Sequence, residues 1–141
     1  MKPRKILIVK TGFSEFLDRG ISTTVSLGDV LICTSILHLY KHDHVTWVTD
    51  WQAKELLEGN LFIDRLLIFG TQALDKIAKK KFDILINLEK DIGISTFLNK
   101  VHASTKYGFY FNDHNHRIKT YNPSTDYLLS GQFNYIDIHK N

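Results

Sequence analysis

Residues 5–9 read Lys-Ile-Leu-Ile-Val, a β-branched and leucine run with no polar residue after Lys5. Such a run marks a strand buried on both faces, because a half-exposed strand shows a polar residue at every second position. The rest of the chain must therefore supply cover for two faces of a sheet. From Gly28 to Tyr40 the residues Val30, Leu31, Ile32, Ile36, Leu37 and Leu39 form a broad apolar face, which predicts a well-buried helix. A strand is expected at 44–49 (HVTWVT), then a short helix at 51–58 with Gly59-Asn60 as its stop. The pattern repeats as strand 65–69, helix 72–80, strand 82–88 (FDILINL), a helical segment at 92–101 weakened by Gly93, and a fifth strand at 106–111 (KYGFYF).

Strands alternating with helices predict an α/β fold: a Rossmann-like parallel sheet with right-handed crossovers and helices on both faces. Ligands of such sheets bind outside the carboxyl ends of the strands, near the point where strand order reverses. The loops that matter are then 10–26, 50–51, 70–71 and 89–91. The first has 17 residues, where a strand-to-helix link usually needs about 2–6. Residues 1–112 are expected to form the domain. Residues 113–141 read as an irregular tail or the start of an interdomain linker, although 133–138 alternate like a strand.

Composition narrows the function classes. With 141 residues, 43% hydrophobic and 23% charged, the chain is long enough for one core and too short for two ordinary domains. Eighteen basic against fifteen acidic residues give a net charge of +3, too mild to indicate a nucleic-acid partner without a concentrated basic stripe. The run Lys79-Lys80-Lys81 reads as a solvated helix end. Cys33 is the sole cysteine, so no intrachain disulfide forms; in its apolar run it is expected to be a buried small hydrophobe. No stretch approaches the ~20 apolar residues of a membrane span. The four apolar residues Ile6–Val9 are too few for a signal peptide, which needs about 7–15. A cytoplasmic location follows as the expectation, at most peripheral to the inner membrane.

The residues with chemical potential centre on Gly28-Asp29-Val30-Leu31. Gly28 permits a tight turn, and Asp29 falls in the first turn of the predicted helix, where the dipole and free amides favour a carboxylate. From the residues alone, Asp29 reads either as a helix-start acid or as a general base placed at a ligand edge. Neither the dinucleotide fingerprint nor the P-loop pattern lies between Val9 and Val30, so no nicotinamide cofactor, and no cofactor of any kind, is expected. His38, His42, His44, His114 and His116 lack a zinc spacing, and no metal site is expected.

With these segments in view, KILIVKTG (5–12), SLGDVLICTSILHLYK (26–41), VTWVTDWQAKELLEGNLFIDRLLIF (45–69) and FDILINLEKD (82–91) resemble glycosyltransferase family 9, which includes the ADP-heptose:lipopolysaccharide heptosyltransferases. The resemblance covers most of residues 5–111 and implies the amino-terminal, acceptor-binding domain of a two-domain GT-B enzyme. It maps the family's catalytic base onto Asp29. Lys10, Thr11, Gly12 and Gly28 would line the cleft, and Glu89 and Lys90 would be candidate acceptor contacts, the alternative for the last two being a solvated pair at a strand end. Asp50 is expected to be a helix cap. A glycan acceptor is implied, with a nucleotide-sugar donor only when a second domain or a donor-binding partner chain is present. Two departures stand out: the long 13–25 segment before the Gly-Asp motif, and the lack of a second half. A non-catalytic glycan- or protein-binding module is the other reading, with Tyr107, Phe109, Tyr110, Phe111, Tyr121 and Tyr127 as an aromatic contact surface.

Overall fold

The structure, a computed structural model, describes residues 2–12 and 27–121. Its strands are β1 (Lys5–Val9), β2 (His44–Thr49), β3 (Arg65–Ile68), β4 (Lys81–Asn87), β5 (His102–Asn112) and β6 (Arg117–Thr120). The α-helices are α1 (Leu27–Cys33), α2 (Lys54–Leu57), α3 (Thr71–Ala78) and α4 (Ile92–Leu98). Strand order is β3-β2-β1-β4-β5-β6, the doubly wound order of Rossmann-like sheets, with β1 to β5 parallel and β6 antiparallel.

The opening run forms the central strand as predicted. Ile6 and Ile8 point to one face, where they join Trp47, Ile84 and Ile86 under Val30, Cys33 and Leu37 of the first helical layer and Leu57 of α2. Leu7 and Val9 point to the other face with Val48 and Leu85, beneath Ala73 and Ile77 of α3 and Ile94 and Leu98 of α4. Connections β1-to-β2 and β2-to-β3 step one way across the sheet, and those to β4 and β5 step back the other way. Crossovers of a single hand must then put their helices on opposite faces, as observed. Cys33 is buried in the first cluster, as expected.

Three expectations are corrected. The helix predicted over 28–40 is two pieces, α1 and a 3-10 helix over Thr34–Tyr40. It is not well buried: Leu31, Ile32 and Leu39 are 56%, 56% and 65% exposed. Residues one and two places after Val30 cannot share its face, and the three-residue period of the second piece aligns Leu37 and Tyr40 instead. Next, the chain after Asn112 is not irregular throughout, because β6 pairs with β5 through Phe109↔Thr120 and Phe111↔Ile118. The short polar-apolar alternation of Arg117–Thr120 carries too little hydrophobicity to show in the sequence, and its strand is made by its partner. Finally, β5 begins at His102, not at 106, since its first residues are held by backbone pairing to β4 while their side chains stay largely in solvent. The predicted 133–138 strand lies outside the described residues. Among the described residues no helix is long and apolar enough to cross a membrane.

Candidate active site at the carboxyl edge

The strand order reverses between β1 and β4, so their carboxyl ends form the switch point of the sheet. Lys10, Thr11 and Gly12 leave β1 there, and Leu88, Glu89 and Lys90 leave β4. The structure joins these two exits through one carboxylate. Glu89 Oε1 accepts from the Thr11 amide (2.5 Å), the Thr11 hydroxyl (2.8 Å) and the Gly12 amide (2.9 Å). Lys10 Nζ lies 3.9 Å from the same oxygen and donates to the Leu88 carbonyl at 3.4 Å. Lys10, Thr11 and Glu89 are at most 1% exposed. Glu89 and Lys90 therefore do not form the solvated pair that the sequence allowed: Glu89 is interior, and half-buried Lys90 sits over the Phe109 ring, 5.3 Å from its centroid. Burial pushes the Glu89 carboxyl above its ordinary value, opposed by Lys10 and by the hydrogen bonds from Gly12 and Thr11.

A second ring of buried polar groups supports this bridge. The Asn87 side-chain carbonyl accepts from the Glu89 amide (2.9 Å), and its amide donates to Ser95 Oγ (3.1 Å) and to the Phe109 carbonyl (3.0 Å). Ser95 Oγ donates to the Glu89 carbonyl at 3.2 Å. The Trp47 indole donates to the Lys10 carbonyl at 3.2 Å. Sequence reading missed Asn87, Ser95 and Trp47. A polar residue inside the apolar FDILINL run was the available signal, since a buried amide must find partners. Thr49, at the carboxyl end of β2, is fully buried, and its hydroxyl has no hydrogen-bond partner among the described residues. Asp50 caps the turn that follows, accepting from the Gln52 amide at 3.0 Å, as expected.

Asp29 lies in the first turn of α1, half-buried. In a β-α-β unit the helix runs antiparallel to its strands, so this turn sits at the carboxyl edge of β1 and β2. Gly28 differs from expectation. Its backbone is not left-handed and a methyl group built on it would meet nothing within 4 Å, so no tight turn requires glycine here. Gly28→Ala is accordingly expected to fold at least as stably, by up to about 1 kcal/mol, from the helix preference of alanine. Thermal unfolding checks this. Loss of ligand binding at unchanged stability would assign the open space to a ligand.

The aromatic surface is in part internal. Phe109 is buried and Tyr107 packs against the same core cluster, while Tyr110 stacks on Tyr121 at 4.8 Å. Burial, with Tyr110 adding to it, pushes the Tyr121 hydroxyl up to about 12. Tyr127 lies outside the described residues.

Comparison with solved structures agrees with this architecture. A glycosyl transferase family 9 protein from Veillonella parvula superposes with a TM-score of 0.56 at 24% identity, over 75% of this chain and 32% of that one. The fold is shared with glycosyltransferases. E. coli heptosyltransferase WaaC, solved with ADP, superposes with a TM-score of 0.54 at 16% identity, over 91% of this chain and 46% of its own. The chain thus spans less than half the length of either glycosyltransferase. No family model and no curated protein matches it.

Proposed function

We propose that this glycosyltransferase-like chain is the acceptor-binding half of an inverting family 9 glycosyltransferase. It would act on a glycan acceptor, using a heptose or related sugar from a nucleotide-sugar. The observation that carries the reading is the coincidence of three features at one edge: the switch point between β1 and β4, the rigid Glu89 bridge across it, and Asp29 on the helix that returns from β1.

In this reading Asp29 takes the proton from the acceptor hydroxyl. The acceptor oxygen then forms its bond to the donor's anomeric carbon as the bond to the nucleotide diphosphate breaks. Neutralising the leaving diphosphate is a large part of such catalysis, and it would fall to a donor-binding half on a second domain or partner chain. The chain by itself is expected to transfer no sugar. Joined to a donor-binding half, it should turn over, and Asp29→Asn should lower kcat by about 10²–10⁴-fold, the usual share of a general base. A radiolabelled sugar-transfer assay reads this directly. Full turnover by the Asn variant would remove Asp29 from the role.

A further inference from the structure

The cations that the chain scatters along its sequence are gathered by the fold on the amino edge of the sheet, opposite the site above. Each parallel strand begins beside one: Arg4 and Lys5 at β1, Lys41 before β2, Arg65 at β3, Lys80 and Lys81 at β4, and Lys100 before β5. The nearby carboxylates are already engaged. Asp43 holds Arg4 at 2.8 Å, and Asp83 and Asp64 accept from the Lys5 and Val45 amides at 2.7 Å each. Exposed Lys5, Lys80 and Lys81 make no ion pair among the described residues. Slight desolvation, followed by repulsion from Arg65, Lys5 and Lys76, lowers the pKa of exposed Lys80. A cleft of about 520 Å³ opens on this edge, lined by Lys2, Arg4, Lys5, Lys81, Asp83 and Ser104 among others.

We propose that this cleft is an anion site for a compound carrying phosphate groups, of the diphosphate class. The cations Lys2, Arg4, Lys5 and Lys81 outnumber the carboxylates Asp83 and Asp43 beside them, which leaves a positive local potential, and a multiply charged anion relieves that repulsion more than a monovalent one does. Lysines act on phosphate as mobile point charges, and the Ser104 hydroxyl adds a directional donor. Asp83 lines the cleft but is turned onto the Lys5 amide. The one aromatic ring in the wall, Phe82, is buried in the core and offers no stacking platform, so charge and not a ring is what the site reads. The volume lies within the range of about 300–1,000 Å³ usual for small-molecule sites.

The proposal is independent of Asp29, and its test is a backbone-amide NMR titration of the chain with pyrophosphate. Saturable shifts are expected at Lys2, Lys5, Lys81 and Ser104, and the double substitution Lys5→Gln/Lys81→Gln should raise Kd by at least about tenfold, since each removes a charged hydrogen bond. Lys119→Gln, on the distant hairpin, should leave Kd unchanged. If the double variant fails to fold, Lys81→Gln and Ser104→Ala alone are each expected to weaken binding. Co-sedimentation with anionic phospholipid vesicles, lost in the same variants, would identify lipid headgroups as the source of the phosphate; free pyrophosphate binding without it identifies a soluble compound. Shifts spread equally over Lys54 and Lys119, an unchanged Kd in the lysine variants, or tighter binding of duplex DNA than of pyrophosphate would overturn the site.

Discussion

Gly108→Ala is expected to cost about 2–5 kcal/mol, from left-handed backbone strain and forced overpacking together. Gly108 has a φ of 90° in the middle of β5, where it pairs with Asn87 of β4. A Cβ at this position would lie 2.0 Å from the Asn87 carbonyl oxygen and 2.8 Å from its carbonyl carbon. Both obstacles are backbone, so no rotamer change relieves them. The strands must part, and they part at the residue whose amide and carbonyl hold Glu89, Ser95 and Phe109 in place. Against a typical domain stability of about 5–15 kcal/mol, such a loss is large. Urea unfolding of the alanine variant measures it. A change below about 1 kcal/mol would mean that β4 and β5 are not packed as described.

The second large effect lies at Glu89. Glu89→Ala removes the acceptor shared by the Thr11 amide, the Thr11 hydroxyl and the Gly12 amide, and takes the counter-charge from Lys10. Breaking one side of a buried charged pair costs about 3–5 kcal/mol. Glu89→Gln keeps an oxygen for the same three donors and should lose much less. The two variants thereby separate the hydrogen bonds from the charge.

The pH dependence separates them further. Because burial raises the folded-state pKa of Glu89 above the ordinary value of 4.5, the native state holds this proton more tightly than the unfolded chain does. Stability from this group is therefore fully present below the ordinary carboxyl range and is lost as pH rises through the raised value. The stability advantage of wild type over Glu89→Gln should narrow across that window and stay flat above it. Parallel urea titrations from pH 4 upward, at spacings of about one unit, provide the measurement. An advantage that grows with pH would reverse the assignment.

The same carboxylate shows how a local pattern can mislead. Glu89-Lys90 at the end of FDILINL resembles any charged strand end meeting solvent, and nothing within that segment indicates otherwise. Its partners are 77 and 78 residues away in sequence, on the exit of β1. Gly28 errs in the opposite sense. Its place beside Asp29 suggested a turn requirement, whereas the left-handed glycines among the described residues are Gly12, Gly59 and Gly108, and of these Gly108, hidden inside the aromatic run KYGFYF, is the one whose added Cβ would strike backbone. Leu31, Ile32 and Leu39 also counted toward a buried face, but the first two follow Val30 by one and two places and turn away from its face of α1, and Leu39 lies off the Leu37–Tyr40 side of the 3-10 piece.

What the sequence determined by itself is what depends on neighbours along the chain. The unbroken apolar run at Lys5–Val9 required a strand covered on both faces, and the alternation after it required parallel crossovers. Asp50 as a cap and Cys33 as core followed from the same local chemistry. Only the tertiary structure decided what depends on residues brought together from afar. It put Glu89 under β1, built β6 onto β5, and turned an unremarkable net charge of +3 into one edge rich in lysine and arginine. Charge and hydrogen bonding act through space over a few ångströms, and that proximity is set by strand order, which no single segment of this chain carries.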